Sequence, residues 1–140
     1  MSSMSDEQYQ DIARFRRSLR AYVKTADQVA RRVGITPAQY ELLVSIRGAA
    51  EAVAPSISWL AEELQIQPHS VTGLVQRAED AGLVATYVDR EDGRVRGVGL
   101  TDEGRRTLSR LFELHSDELD DARRQLLDDL RRVQRQAPTF

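Results

Sequence analysis

A chain of 140 residues, 41% apolar and 30% charged, is long enough for one hydrophobic core and too apolar for wholesale disorder. It contains no cysteine, which excludes disulfides, thiolate metal sites, thiol nucleophiles and thiol-based redox sensing. Its formal charge of −2 does not mark a nucleic-acid binder, and that charge is unevenly spread: +3 over residues 1–34, −1 over 35–55, −5 over 56–104 and +1 over 105–140. The start, Met1 to Glu7, lacks the basic and apolar segments of a signal peptide, and no apolar run reaches membrane-spanning length. A cytoplasmic protein without membrane contact is expected.

Residues 6–33 read as one long helix. Tyr9, Ile12, Phe15, Leu19, Tyr22, Val23, Ala26, Val29, Ala30 and Val33 recur at three- and four-residue steps, with arginines largely between them. Gly34 ends it, because glycine tolerates the positive φ of a helix terminus. Thr36-Pro37-Ala38-Gln39 is a helix start: Thr36 caps, Pro37 fits the first turn and Gln39 closes a capping box. Gly48 to Pro55 is a loop of small residues. A short helix then begins near Ser56 or Ser58 and runs to Leu64. Gln65-Ile66-Gln67 is a tight turn, and Pro68 opens a further helix that Gly82 stops after Ala81. Leu83–Val88 and Val95–Leu100 read as strands of a hairpin around the polar turn Asp89–Arg94, with Gly93 at its tip. Thr101-Asp102-Glu103 starts a last long helix. Leu108, Leu111, Phe112, His115, Leu119, Ala122, Leu126, Leu130 and Val133 recur there near a heptad period, with a break expected around Asp117 or Asp120–Asp121. Ala137–Phe140 reads as a frayed tail.

Two short helices joined by a three-residue turn suit a helix-turn-helix. Leu60, Leu64, Ile66, Val71 and Leu74 supply apolar residues where such helices cross, and Ala61 the small residue where they touch. By pattern alone, an ordinary helical hairpin fits equally well. The hairpin after it tips the balance, since a tip bearing Arg90, Arg94 and Arg96 has what a DNA-binding wing needs to meet the potential of a narrow minor groove. The competing reading is a solvated turn in which Asp89, Glu91 and Asp92 neutralise these arginines, Asp92 pairing with Arg94 or Arg96.

The ordered set Thr36–Leu43, Leu60–Leu64, Ser70–Arg77, Ala81–Val84, Asp89–Arg94 and Leu100–Gly104 resembles the MarR family of bacterial transcription regulators over roughly residues 10–133. The resemblance implies a mainly α fold with a small β-hairpin wing. Residues 36–100 would form a winged helix-turn-helix, and helices 6–34 and 102–135 would pair two copies, all in one domain over 1–140. It implies a homodimeric repressor that binds a pseudo-palindromic double-stranded DNA site and is released by a small aromatic or anionic ligand. By position, Gln67, His69, Ser70, Thr72, Gly73, Gln76 and Arg77 would face DNA from the recognition helix at 68–81, and Arg94 matches the family's wing arginine. Three positions depart from the pattern. Gln65 stands where a turn glycine is common, Gln67-Pro68 replaces a serine cap, and Gly73 replaces a frequent arginine at a cost of ~1 kcal/mol of helix propensity relative to Ala.

The two histidines, His69 and His115, are far apart in sequence, so no metal or cofactor is called for. His115, on the apolar stripe, reads as a hydrogen-bonded histidine of the interface between two copies. Trp59, Tyr22 and Tyr40 are either packing residues or the lining of a ligand cavity between the wing region and the terminal helices. No phosphate loop and no nucleophile–base pair is present, so no enzyme is expected. The competing class is a winged-helix module for protein contact without specific DNA binding, which the acidity of 56–104 favours.

Overall fold

The computed structural model describes residues 3–49 and 54–136. The expectations for Ala137–Phe140, and for the middle of the loop after Gly48, lie outside them. The elements run α1 (Asp6–Arg32), α2 (Pro37–Gly48), α3 (Ile57–Leu64), α4 (Pro68–Asp80), β1 (Val84–Val88), β2 (Val95–Leu100) and α5 (Asp102–Gln136). They form two compact units, Met1–Val29 with His115–Phe140, and Ala30–Leu114.

The helix boundaries follow from local chemistry. Ser5 and Gln8 exchange side chain-to-backbone bonds of 3.2 and 2.7 Å ahead of α1, a capping box not foreseen above. The expected box at Thr36 and Gln39 is formed, with bonds of 3.1 and 3.0 Å. Of the two candidate serines it is Ser56 that caps α3, accepting from the Trp59 amide at 3.1 Å. Three helices end in the same way. The amides of Gly34 and Ile35 bond to the carbonyls of Arg31 and Ala30, those of Gln65 and Ile66 to Glu62 and Ala61, and those of Gly82 and Leu83 to Glu79 and Ala78. This double closure requires a left-handed residue at its corner. Gly34 (φ 88°) and Gly82 (φ 78°) adopt that conformation freely, whereas Gln65 holds φ 57° against the usual penalty on a side chain.

In the unit Ala30–Leu114, Leu42, Leu43, Leu60, Val71, Val98 and Leu111 are fully buried. Ala61 is buried, as the helix-turn-helix requires, but Ile66 is 41% exposed and does not fill the helix crossing. The closure at Gln65 turns the chain there, and Leu74, Val75 and Ala78 of α4 are buried instead. β1 and β2 pair antiparallel with Val84 opposite Leu100, and a bulge falls between Tyr87 and Val88. The Val98 amide also bonds to the Pro55 carbonyl at 2.9 Å, so the chain ahead of α3 adds to the hairpin's edge. The hairpin's base is seated on the first turn of α5. Thr101 donates its amide to Leu83 O (3.1 Å) and its hydroxyl to Gly82 O (2.6 Å), while its Oγ1 accepts from the Gly104 amide (3.0 Å). Gly104 comes so close that a Cβ there would stand 2.1 Å from Leu83 O.

In the other unit, the buried face of α1 carries Asp11, Ser18, Ala26 and Val29. Tyr9, Leu19 and Val23, of the same apolar stripe as Ala26 and Val29, are 60%, 42% and 48% exposed in the single chain. Ser18 donates to Asp129 Oδ2 of α5, which Gln125 also reaches at 3.1 Å. The Ser18 hydroxyl is the main reason that the buried Asp129 carboxyl titrates below its usual range. The break in α5 falls at His115 (φ −130°, ψ 16°), ahead of the expected Asp117 or Asp120–Asp121. Asp120 and Asp121 stay helical, each held by an arginine three residues on, Arg123 at 2.9 Å and Arg124 at 3.3 Å. The His115 side chain is not satisfied within the single chain. Its buried Nδ1 makes no hydrogen bond among the described residues and lies 3.5 Å from the Glu118 carboxylate.

Candidate nucleic-acid interface

α4 is two-faced. Val71, Leu74, Val75 and Ala78 are buried at helical spacing, which leaves His69, Thr72 and Gln76 exposed opposite them, with Ser70 and Arg77 flanking and Gln67 exposed just ahead of the helix. From Gln65 to Ala78 the chain has no acidic residue, so this stretch of the face presents only amides, hydroxyls, an imidazole and a guanidinium. The acids of the region lie beyond this stretch, at Glu62 and Glu63 on α3, at Glu79 and Asp80, which continue the exposed face in the last turn of α4, and in the hairpin.

Two details sharpen the site. Thr72 donates its hydroxyl to the Pro68 carbonyl at 3.1 Å, which leaves its methyl and an oxygen lone pair for a partner. The Arg77 guanidinium folds back toward the helix N-terminus over Gly73, with Nη1 3.3 Å from where a Cβ at 73 would stand. Arg77 thus occupies space that a side chain at Gly73 would fill. Gln67, which replaces the serine cap, makes no side-chain capping bond.

The hairpin tip is built on Asp89. Its Oδ1 accepts from the amides of Glu91 (2.8 Å) and Asp92 (3.3 Å), and these bonds, followed by Arg96, hold its carboxyl below the usual range. Its carbonyl accepts from the Gly93 amide at 2.9 Å, and Gly93 takes φ 72°. The three arginines differ. Arg96 is held by both Asp89 (3.1 Å) and Asp92 (3.0 Å). Arg94 only approaches Asp92, at 3.5 Å, and its side chain is 76% exposed. Arg90 is exposed and forms no ion pair among the described residues. Both readings of the turn are therefore present together: Asp89 and Asp92 hold Arg96, while Arg94, paired loosely with Asp92 alone, and Arg90 stay exposed.

Sequence reasoning missed Glu79. Its Oε2 accepts from the Thr86 amide (3.0 Å) and the Thr86 hydroxyl (2.7 Å), joining the end of α4 to the outer edge of β1. No spacing rule announces such a pair, since it depends on how the chain folds back at Gly82. Sequence reasoning also missed a cavity of about 560 Å³ behind the hairpin, lined among others by Ile46, Arg47, Pro55, Tyr87, Leu100 and Arg105. The three aromatic ligand candidates do not line it. Tyr40 packs near Phe112 with ring centroids 6.4 Å apart, Trp59 is 37% exposed on α3, and Tyr22 is half-buried on α1 beside Arg123.

A helix-turn-helix with a polar second helix, followed at once by an arginine-tipped hairpin, defines a winged-helix protein. Residues 33–95 match the model of the MarR family. The chain is 35% identical over 71 residues to the HTH-type transcriptional repressor MdtR of Bacillus subtilis (strain 168), a stretch that covers 51% of this chain and 44% of that protein. It thus spans less than half the length of this curated relative. Among solved structures, wild-type MarR from E. coli in its apo form superposes with a TM-score of 0.64 at 22% identity, over 81% of this chain and 80% of that one. S. aureus MepR, solved as a DNA complex, superposes with a TM-score of 0.63 at 25% identity over the same shares. Over residues 33–95 the chain is thus similar to the MarR family, and its fold is that of the solved MarR proteins.

Proposed function

We propose that this protein is a sequence-specific regulator of transcription that binds double-stranded DNA as a homodimer and represses. The observation that carries this is the exposed, acid-free stretch of α4 from Gln67 to Arg77, set beside a hairpin in which Asp89 and Asp92 hold Arg96 and Arg90 and Arg94 stay exposed. It answers the objection from net charge, because DNA responds to the face presented rather than to the sum. α4 reads base edges through Thr72, Gln76 and Arg77, while Gln67, His69 and Ser70 at its start meet phosphate. Gly73 acts on this face by leaving room for the Arg77 guanidinium that lies over it. Arg90 and Arg94 act at the wing, and Arg96 holds its shape. Tyr9, Leu19 and Val23 on α1, with Leu127 (45% exposed) on α5, are apolar surface suited to a second copy. Two copies would present two recognition helices to a pseudo-palindromic site. The cavity beside Arg47 and Arg105 suits a small aromatic or anionic ligand as the releasing signal.

The test is selection of bound DNA from a random pool, followed by salt titrations of two variants. Thr72→Ala is expected to lose discrimination at one symmetric pair of positions, by on the order of 1–3 kcal/mol, with the salt slope unchanged because no charge is lost. Arg94→Ala is expected to weaken binding to nearly all sequences and to lower the salt slope by about one unit per subunit that contacts phosphate. Wild-type slope and affinity in Arg94→Ala would remove the wing from the interface and favour a protein-contact module.

A further inference from the structure

We infer that Glu79 is a positioning residue for DNA recognition, clamping the wing to the recognition helix; the inference rests on the reading of α4 and the wing given above. The hairpin is anchored at its base by Thr101, which bonds to Gly82 and Leu83, and by the close seat of Gly104 against Leu83. These contacts hold one end of a lever. From Leu83 to Arg90 an extended chain spans about 23 Å at ~3.3 Å per residue, so a sway of about 10° at the base moves the tip by about 4 Å. That is more than a hydrogen bond to phosphate tolerates. Glu79 grips the lever beyond its base. Thr86 lies three residues past Leu83 toward the tip, and both its amide and its hydroxyl donate to one carboxylate oxygen. The amide so used points away from β2, and without Glu79 it would be an open strand edge. Both bonds are charge-assisted, the stronger kind. Glu79 belongs to the last turn of α4 itself, so the recognition helix and the wing move as one reading head.

The electrostatic alternative predicts the opposite sign. A carboxylate on a DNA-binding surface repels phosphate, so if Glu79 were only a surface acid, its removal would tighten binding. If it is a clamp, removal loosens the wing and weakens binding. Glu79→Gln separates the two, because the amide oxygen can still accept both Thr86 bonds while the charge is gone.

The experiment measures operator affinity and salt slope for full-length wild type, Glu79→Ala, Glu79→Gln, Arg94→Ala and Glu79→Ala/Arg94→Ala, well below each variant's unfolding temperature, with the folded fraction checked by circular dichroism. Glu79→Ala is expected to weaken binding about tenfold and to lower the salt slope toward that of Arg94→Ala, with Glu79→Gln close to wild type. In the Arg94→Ala background, Glu79→Ala should cost little more, because both changes remove the same wing contacts. Tighter or unchanged binding by Glu79→Ala while Arg94→Ala weakens it overturns the clamp and leaves the wing reading intact, as do losses that multiply independently in the double variant. An Arg94→Ala protein with wild-type affinity and slope overturns the wing reading, and the clamp with it.

Discussion

Replacing Gly104 by alanine should destabilise the winged unit, although alanine is the better helix former. A Cβ at this position would stand 2.1 Å from Leu83 O, and that neighbour is backbone, which cannot swing aside. Ordinary carbon–oxygen contacts begin near ~3.3 Å, so the first turn of α5 and the start of β1 must separate by about 1.2 Å. Such overpacking costs about 1–3 kcal/mol. The separation also strains the Thr101 amide bond to Leu83 O at 3.1 Å and the Thr101 hydroxyl bond to Gly82 O at 2.6 Å, each contributing about 1 kcal/mol. Helix propensity returns up to ~1 kcal/mol. The net expectation is a loss of about 2–4 kcal/mol, or a urea midpoint lowered by roughly 1–2 M. Trp59, the single tryptophan, lies in the same unit, so its fluorescence follows the transition that matters. A Gly104→Ala protein as stable as wild type, or more stable, would show that propensity outweighs the seat and refute the reasoning.

Two further outcomes follow from named contacts. Gln65→Gly relieves a left-handed side chain worth ~1–2 kcal/mol and concedes ~0.5–1 kcal/mol to the freer unfolded chain, so urea unfolding should show a gain of about 0.5–1 kcal/mol. A loss would mean that the Gln65 side chain contributes a contact of its own. Ser18→Ala should cost about 1–3 kcal/mol at neutral pH by leaving the buried Asp129 carboxylate with one hydrogen-bond donor fewer. Because the folded Asp129 titrates below its ordinary value, its stabilisation is complete above the unfolded pKa of about 3.9 and fades as pH falls through the folded value. The gap between wild type and variant should therefore narrow below about pH 4, and a gap independent of pH would exclude the carboxylate as its source.

Much of the fold was legible in the chain because the signals involved are local. The Thr36 and Gln39 capping box needs only four consecutive residues, and Gly34, Gly82 and Gly93 mark positions whose positive φ favours glycine. The apolar spacing of α4 also told which residues would be exposed, since a regular helix assigns its faces by counting. Where two outcomes had the same local signal, only the folded chain could decide. Apolarity placed Tyr9, Leu19 and Val23 on one stripe of α1 with Ala26 and Val29, but it did not tell that Asp11 and Ser18 would be taken inside the single chain, where Ser18 is held by Asp129, a partner more than a hundred residues away. Asp120 and Asp121 looked like a helix break, yet arginines on the next turn keep them helical and the break falls at His115. The three wing arginines are alike in sequence, and the paths of Asp89 and Asp92 around the turn make Arg96 structural and leave Arg94 outward. Glu79 reads as one more surface acid until the reversal at Gly82 brings Thr86 to it. A capping residue or a turn glycine acts on atoms within a few bonds along the chain, so sequence suffices for it. The identity of a distant partner depends on where the backbone returns, which is a property of the whole packing.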